Sequence, residues 1–139
     1  MMMKTAILYY SFGGYTRRTA QKLAADCAAD LIELQPEKNY NLFTTFLRGC
    51  PAARQQKGVA LRPLTADLHD YTRFILAAPV WAGYPAPPFN SALALLPANS
   101  TLEVVLTSGS GKSARQQTIA FIEAAGHRVL NYQDIRAEK

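Results

Sequence analysis

Short apolar runs recur along this chain, and amphipathic stretches separate them. Five runs have the length and composition of β-strands, at residues 6–10, 31–34, 74–78, 102–106 and 128–132. The runs at 6–10 and 74–78 are continuously apolar, which is typical of central parallel strands buried on both faces. The run at 128–132 has mixed polarity, so we expect it at an edge of the sheet.

Three amphipathic stretches predict helices at residues 16–29, 89–96 and 113–125. In the first of them, apolar residues recur at the i, i+3, i+4 spacing of a helix that packs one side against a core. Gly126 follows the third stretch and suits the left-handed position at which helices commonly end. Strands that alternate with helices predict an α/β sandwich with a parallel sheet, formed here by one domain over residues 1–139.

The stretch from residue 35 to residue 70 follows this pattern least well. Leu42, Phe46 and Leu47 suggest a short helix, and residues 49–58 have the composition of an exposed basic loop. No aromatic residues are interleaved with the basic residues, and no recognised nucleic-acid-binding module is present, so a solvated face is favoured over a partner surface or a nucleic-acid patch. These basic residues are Arg48, Arg54, Lys57 and Arg62.

Three loops follow the strands at 6–10, 74–78 and 102–106, and ligands of an open parallel sheet bind outside the carboxyl ends of its strands. The first loop consists of Ser11, Phe12, Gly13, Gly14, Tyr15 and Thr16. The second consists of Pro79, Val80, Trp81, Ala82, Gly83, Tyr84 and Pro85. The third consists of Thr107, Ser108, Gly109, Ser110 and Gly111. None of them contains a carboxylate, a histidine or a cysteine, so we predict no catalytic side chain and no metal ligand there.

The first loop opens a helix, where free N–H groups and the helix dipole favour an anion. Gly13 and Gly14 allow the backbone to close around a phosphate, and Ser11 and Thr16 carry hydroxyl groups. Alternatively, Thr16 acts only as a helix cap and the glycines only form a tight turn. Trp81, the only tryptophan, is either a stacking platform for a planar ring or a lid on the core.

Taken together, the three loops resemble those of small flavodoxin-like proteins, which bind FMN at the carboxyl ends of the strands. Residues 11–16 are similar to the family phosphate loop Ser/Thr-x-Thr-Gly-x-Thr, with Gly13 in place of one hydroxyl residue. Residues 79–83 are similar to the loop in which a tryptophan commonly packs against the flavin ring, and residues 107–111 resemble the loop beside the pyrimidine edge. The resemblance implies a three-layer sandwich with helices on both faces of a five-stranded parallel sheet of order 2-1-3-4-5.

The resemblance also implies a function, an FMN-binding electron-transfer protein that serves a redox partner protein or a small acceptor. Two alternatives stay open, an FMN-dependent NAD(P)H:quinone-type oxidoreductase and a related binding module without its cofactor, so we leave open whether the protein is an enzyme. We expect FMN rather than FAD, because no second nucleotide-binding fingerprint serves an adenosine half. The cofactor residues would be Ser11, Phe12, Gly13, Gly14, Tyr15, Thr16, Pro79, Val80, Trp81, Ala82, Gly83, Tyr84, Thr107, Ser108, Gly109 and Gly111.

Composition and charge refine these expectations. No apolar run reaches the roughly 18 residues of a membrane span, and no secretory signal is evident, so we expect a cytoplasmic protein that binds neither membrane nor nucleic acid, as a monomer or weak homodimer. The formal net charge is +5, whereas long-chain flavodoxins are typically acidic. We expect a field that favours a reduced, anionic flavin, set by four basic residues in the following helix starts: Arg17, Arg18, Lys112 and Arg115.

Competing motifs are incomplete in this chain. Gly111-Lys112-Ser113 is the end of a nucleotide-triphosphatase loop, but Leu106 stands where that loop needs its first glycine. The two cysteines are far apart and form no metal or disulfide pattern, and we assign Cys27 to the core. His69 and His127 lie outside the three loops, and we assign both to surface or strand-edge positions.

Overall fold

A computed structural model describes residues 4–137 and shows one twisted sheet with helices on both faces. The strands are β1 (Thr5–Tyr9), β2 (Asp30–Glu33), β3 (Arg73–Trp81), β4 (Tyr84–Pro85), β5 (Thr101–Ser108) and β6 (Arg128–Arg136). Their order is β2-β1-β3-β5-β6, and every pair along that path is parallel. The two-residue β4 pairs antiparallel with β3 alone. If β4 is left aside, the order 2-1-3-4-5 is confirmed, as is the position of residues 128–132 at an edge.

The helices lie close to the predicted positions and cover the sheet unequally. They are α1 (Tyr15–Cys27), α2 (Leu42–Thr44), a π-helical turn (Thr45–Gly49), α3 (Cys50–Arg54), a 3₁₀ turn (Leu68–Asp70), α4 (Pro87–Leu95) and α5 (Arg115–Ala124). Gly126 has φ of +92° just after α5, as the sequence predicts for a helix end. None of these helices is long and apolar enough to cross a bilayer.

The apolar strand residues divide into two clusters, one on each face of the sheet. On the larger face, Leu8, Leu76 and Leu106 pack with Phe89 of α4 and Ile122 of α5. The smaller cluster consists of Ile7, Tyr9, Ala20, Ile75, Ala77 and Val105 and includes one residue of α1, Ala20. Strands buried on both faces explain why the runs at 6–10 and 74–78 contain no polar residue.

Three details differ from the sequence-based expectations. Residues 50–54 form a helix, whereas we expected a loop, because Gly49 and Ala53 pack inward and are buried. His127 is buried: its Nδ1 accepts from the Ser100 N–H at 3.2 Å, and its Nε2 lies 3.0 Å from the Leu93 carbonyl oxygen. Cys27 is only half-buried, and its thiol donates to the Leu23 carbonyl oxygen at 3.0 Å.

Candidate functional site

The three loops singled out in the sequence meet at the carboxyl edge of β1, β3 and β5, and hydrogen bonds link the third loop and the residues just after it to the other two. Thr16 and Thr107 share a hydrogen bond of 2.7 Å between their hydroxyl oxygens, which joins the first loop to the third. The Ala114 N–H donates to the Gly83 carbonyl oxygen at 2.7 Å, which joins the second loop to the segment after the third. We call this group of loops, residues 11–16, 79–85 and 107–114, the three-loop edge.

The backbone of the first loop bends as an anion-binding turn requires. Gly13 and Gly14 have φ of +85° and +95°, a region that glycine occupies at little cost and other residues avoid. Gly14 is the residue that precedes α1, and as a glycine it has no side chain to cap that helix. Among residues 4–137, the backbone N–H groups of Gly14, Tyr15 and Thr16 donate to no protein acceptor. Free N–H groups at the positive end of a 13-residue helix can act as a cradle for an anion.

The two aliphatic hydroxyl groups of the first loop are engaged within the protein. The Ser11 Oγ accepts from the Arg17 N–H at 3.1 Å, so it satisfies a donor at the helix start. Thr16 is buried, and its hydroxyl bonds to Thr107 rather than facing solvent. The cradle in this structure is therefore made of backbone N–H groups, and Thr16 holds two loops together.

The second loop is a tight hairpin rather than an irregular proline-rich segment. We expected the strand to end at Pro79, but β3 continues to Trp81 because β4 turns back and pairs with it. Ala82 and Gly83 form the turn, both at positive φ (+53° and +91°), as the tightest hairpins require. Both turn residues are exposed, so the hairpin presents its tip to solvent beside the third loop.

Trp81 lies in a cage of aromatic rings and is only 7% exposed. The ring centroids of Tyr40, Tyr10 and Phe12 lie 5.0, 5.7 and 5.8 Å from that of Trp81, all with near-perpendicular planes. A Cβ added to Gly49 would lie 2.6 Å from the indole ring, so the π-helical turn packs directly against it. Trp81 therefore packs into the core between the first loop and residues 40–49, and it is not an open platform.

Burial in this cage shifts the acidity of two tyrosines. Burial, with a smaller contribution from Tyr40, raises the pKa of Tyr10 above its usual range, and burial also raises the pKa of Tyr40. Both hydroxyls are therefore neutral at physiological pH. Sequence reasoning missed Tyr10, Tyr40 and Gly49 as neighbours of Trp81, because they lie in segments distant along the chain.

The third loop is closed by its own hydroxyl groups. The Gly111 N–H donates to the Ser108 Oγ at 2.9 Å, and the Lys112 N–H donates to the Ser110 Oγ at 3.2 Å. Gly111 has φ of +71°, and a Cβ there would lie 3.2 Å from that of Arg136 on β6. Gly109 and Ser110 are exposed at its tip and face solvent as the hairpin turn does.

The positive charges around the site are less available than the sequence suggests. Arg17 forms an ion pair with Glu33, whose Oε1 also accepts from the Gln35 amide at 2.7 Å. The hydrogen bond from Gln35 and the pairing with Arg17 lower the pKa of Glu33. The Arg115 guanidinium lies 4.9 Å above the Tyr132 ring and donates to its carbonyl oxygen at 3.3 Å. The Arg18 guanidinium lies 5.6 Å from the centroid of the Tyr15 ring, so three of the four expected charges are already engaged.

Solved structures of other proteins share this architecture. The chain is similar to a flavoprotein from Lactobacillus acidophilus NCFM crystallised in complex with FMN, at 22% identity over 94% of this chain and 92% of that one, with a TM-score of 0.74. The fold is flavodoxin-like. Flavodoxin 2 from Bacillus cereus, in its oxidised form, matches at 15% identity over 98% of this chain and 88% of that one, with a TM-score of 0.51. A Streptococcus pneumoniae TIGR4 flavodoxin matches at 17% identity over 99% and 88%, also with a TM-score of 0.51.

Sequence comparison alone does not reveal this relationship. No family model matches the chain, and no curated protein matches it either. The flavodoxin-like fold is visible because the order and packing of strands and helices persist at identities of 15–22%. The predicted resemblance, with its three-layer α/β architecture, is confirmed at the level of the fold.

Proposed function

We propose that this protein binds FMN at the three-loop edge and transfers electrons to a partner protein. One observation carries the proposal: the unpaired N–H groups at the start of α1 lie in the same joined set of loops as the exposed hairpin turn and the third loop. The flavodoxin-like fold supports it, since ligands in open α/β sheets bind at the carboxyl ends of strands where the strand order reverses. In this sheet the order reverses between β1 and β3.

The phosphate of FMN fits the first loop. Three backbone N–H groups, from Gly14, Tyr15 and Thr16, lack partners among the described residues and lie at the positive end of α1. A dianionic phosphate supplies the acceptors that these donors need. FMN carries a terminal phosphate, whereas FAD would need room and contacts for an adenosine half beyond this turn. The N–H cradle therefore favours FMN.

The remaining candidate residues would border the ring of the flavin. Ala82, Gly83 and Gly109 are exposed, and they present backbone groups rather than charged side chains. The half-buried Tyr84 is available at the base of the hairpin. When bound, FMN would supply the redox chemistry, and these loops would orient it and exclude water from one of its faces. Trp81 would support the site from the core side, because its cage packs against both the hairpin and the first loop.

Titration of the purified protein with FMN, riboflavin and FAD tests this proposal. FMN should bind more tightly than riboflavin by at least about tenfold, since loss of charge-assisted hydrogen bonds to phosphate costs on the order of 1.5–3 kcal/mol. Emission from Trp81, the sole tryptophan, should fall as the site fills, because it packs directly under the loops. Equal affinity for riboflavin and FMN would contradict the phosphate cradle, and equal affinity for FAD would contradict the choice of cofactor.

Turnover assays separate electron transfer to a partner protein from reductase activity. NADH and NADPH should be oxidised no faster by the FMN-loaded protein than by free FMN with a quinone acceptor. Rapid, saturable oxidation would support the oxidoreductase alternative instead. If the purified protein takes up no flavin, the proposed function fails altogether.

A further inference from the structure

The segment between β2 and β3 exposes an unusual group of apolar side chains. Among the described residues, seven large hydrophobic side chains are exposed, and four of these lie within six consecutive positions. Leu42 is 80% exposed, Phe43 71%, Phe46 81% and Leu47 56%. Isolated exposed apolar residues are ordinary, but a contiguous group with two protruding phenylalanines marks an interaction surface.

The helical run that carries these residues is packed against the body of the protein in its second half, and Tyr40, just before its start, packs against Trp81. Its second half is packed inward: Ala53 is fully buried, and Gly49 lies against Trp81. Its first half begins at Asn41, whose side chain accepts from the Thr44 N–H at 2.9 Å while its own N–H donates to the Thr44 hydroxyl at 2.8 Å. This reciprocal cap fixes the start of the helix in solution. The apolar group is therefore presented on an ordered helix.

All of the excess positive charge of the chain lies in the same segment. Residues 38–66 contain five basic residues and no Asp or Glu, so the segment has a formal charge of +5, equal to that of the whole chain. The other ten Lys and Arg are balanced by the ten Asp and Glu. The five basic residues are Lys38, Arg48, Arg54, Lys57 and Arg62. An apolar group bracketed by charges of one sign is complementary to a partner that carries charges of the opposite sign.

We infer that Leu42, Phe43, Phe46 and Leu47 form a docking surface for a partner protein with an apolar groove rimmed by acidic residues. We call these four residues the 42–47 surface. Side chains at i, i+1, i+4 and i+5 of a helix project from one side, as in helices that bind in the groove of another protein. Acidic residues around that groove would meet Arg48 and Arg54, which follow the apolar group on the same helical run.

The arrangement suits a protein groove better than a membrane. A helix that lies in a bilayer interface is apolar along one whole face and basic along the other. Here the second half of the helical run is packed on the body of the protein, so only its first half is free to insert. The basic residues bracket the apolar group along the chain and do not line one long side of the helix. A compact anchor with charges at its ends matches a recessed pocket with a charged rim.

The surface adjoins the three-loop edge. Tyr40, just before the helix, lies 5.0 Å from Trp81 between ring centroids, and Gly49 at the end of the π-helical turn touches the same indole. A partner seated on the 42–47 surface would thus lie beside the edge where the flavin is proposed to bind. The exposure and the surrounding charge of the 42–47 surface do not depend on the flavin.

Photo-crosslinking from position 43 in the native cell tests the inference, with a photoreactive phenylalanine analogue in place of Phe43. One partner protein should be captured, and its cross-linked peptide should lie at an apolar groove flanked by Asp or Glu. The double variant Arg48→Glu, Arg54→Glu should abolish capture, while Arg128→Glu, which changes another exposed arginine, on β6, should leave it unchanged. Capture that is absent, or that survives the double reversal, would overturn the inference.

Binding measurements with the captured partner, purified, then quantify the contacts. Phe46→Gln should weaken binding by about tenfold or more, as expected for an aromatic anchor, and raised salt should weaken binding further. Leu130→Gln is the matched control, because Leu130 is 70% exposed but lies on β6, and it should change affinity less than twofold. Equal effects of the two substitutions would contradict the assignment of the surface.

Two further measurements separate the competing occupants. Co-sedimentation with phosphatidylglycerol vesicles that is lost in Phe46→Gln would overturn the protein partner in favour of a lipid surface. Sedimentation velocity that shows a dimer dependent on Phe46 would overturn it in favour of a second copy of this chain. FMN affinity, measured on Phe46→Gln and on the double variant Arg48→Glu, Arg54→Glu, should equal that of the wild-type protein. A wild-type chain that binds no FMN but still captures the partner would remove the proposed function and leave the docking surface standing.

Discussion

The three-loop edge and the crossover segment (residues 35–72, between β2 and β3) differ in whether their large apolar side chains are buried or exposed. At the three-loop edge, the sole tryptophan is caged and two hydroxyl groups pair with each other out of solvent. In the crossover segment, two phenylalanines and two leucines stand in solvent on a capped helix. The first region thus uses its aromatic residues to fix loop positions. The crossover segment instead exposes phenylalanine and leucine side chains as an apolar surface, which is a feature of binding sites.

The two regions meet at Trp81. Residues 40 and 49 of the crossover segment complete the cage around a tryptophan that belongs to the second loop. A change at residue 40 or 49 is therefore transmitted to the three-loop edge through one indole ring. Substitutions that enlarge or empty this cage should be the most damaging in the molecule.

Trp81→Ala should have the largest effect of the substitutions considered. Removal of a buried indole from contact with Tyr10, Phe12 and Tyr40 leaves a cavity, and we expect a loss of about 3–5 kcal/mol in the free energy of unfolding. Chemical denaturation monitored by far-ultraviolet circular dichroism measures it, since the variant lacks the fluorescent probe. By contrast, Phe46→Gln should change stability by no more than about 0.5 kcal/mol, as for other surface positions. A small loss for Trp81→Ala would show that the cage is not formed in solution.

Gly49→Ala should cost about 1–3 kcal/mol of stability although alanine favours helix. The backbone at Gly49 is helical, with φ of −67°, so no backbone strain arises, but the added Cβ would lie 2.6 Å from the indole. The effect is therefore steric, and it should largely disappear in a Trp81→Leu background. If the double-mutant cycle shows no coupling, Gly49 and Trp81 are not in contact.

Thr16→Val should cost about 1–2 kcal/mol, because it leaves the buried Thr107 hydroxyl without its partner. The double variant Thr16→Val, Thr107→Val should be less destabilised than the sum of the single variants, since both partners are then apolar. Thr19→Val is a suitable control, since Thr19 lies on the same helix and its hydroxyl donates only to the Tyr15 carbonyl oxygen. Strictly additive effects would mean that this hydrogen bond does not join the first and third loops.

Glu33→Gln should have the smallest effect, less than about 1 kcal/mol at neutral pH, because Arg17 is largely exposed and solvent screens the pair. The pKa of Glu33 is lowered by Gln35 and Arg17, so its carboxylate stabilises the fold above the ordinary value of 4.5, and this contribution is lost as pH falls through the lowered pKa. The difference in free energy of unfolding between the wild-type protein and Glu33→Gln should therefore shrink below pH 4.5. A difference that grows on acidification would contradict the assigned ion pair.

The sequence could predict the strands and the loops because each depends on local pattern. Continuous apolar runs determine β1 and most of β3, since only strands buried on both faces place all side chains away from water. Gly13 and Gly14 were recognisable because few other residues reach the positive φ that an anion-binding turn needs. The joining of the three loops followed from topology, which brings the carboxyl ends of parallel strands to one edge.

Contacts between distant segments were not predictable from local pattern. That Trp81 is caged depends on Tyr10, Tyr40 and Gly49, which approach it only when the crossover segment packs on β3. His127 is buried because Ser100 and Leu93 bring a donor and an acceptor to opposite sides of its ring. The amino-acid sequence by itself therefore determined the order of elements and the place of the candidate site. Only the tertiary structure decided which aromatic residues are enclosed and which stand in solvent, because burial is a property of packing between segments and not of any one of them.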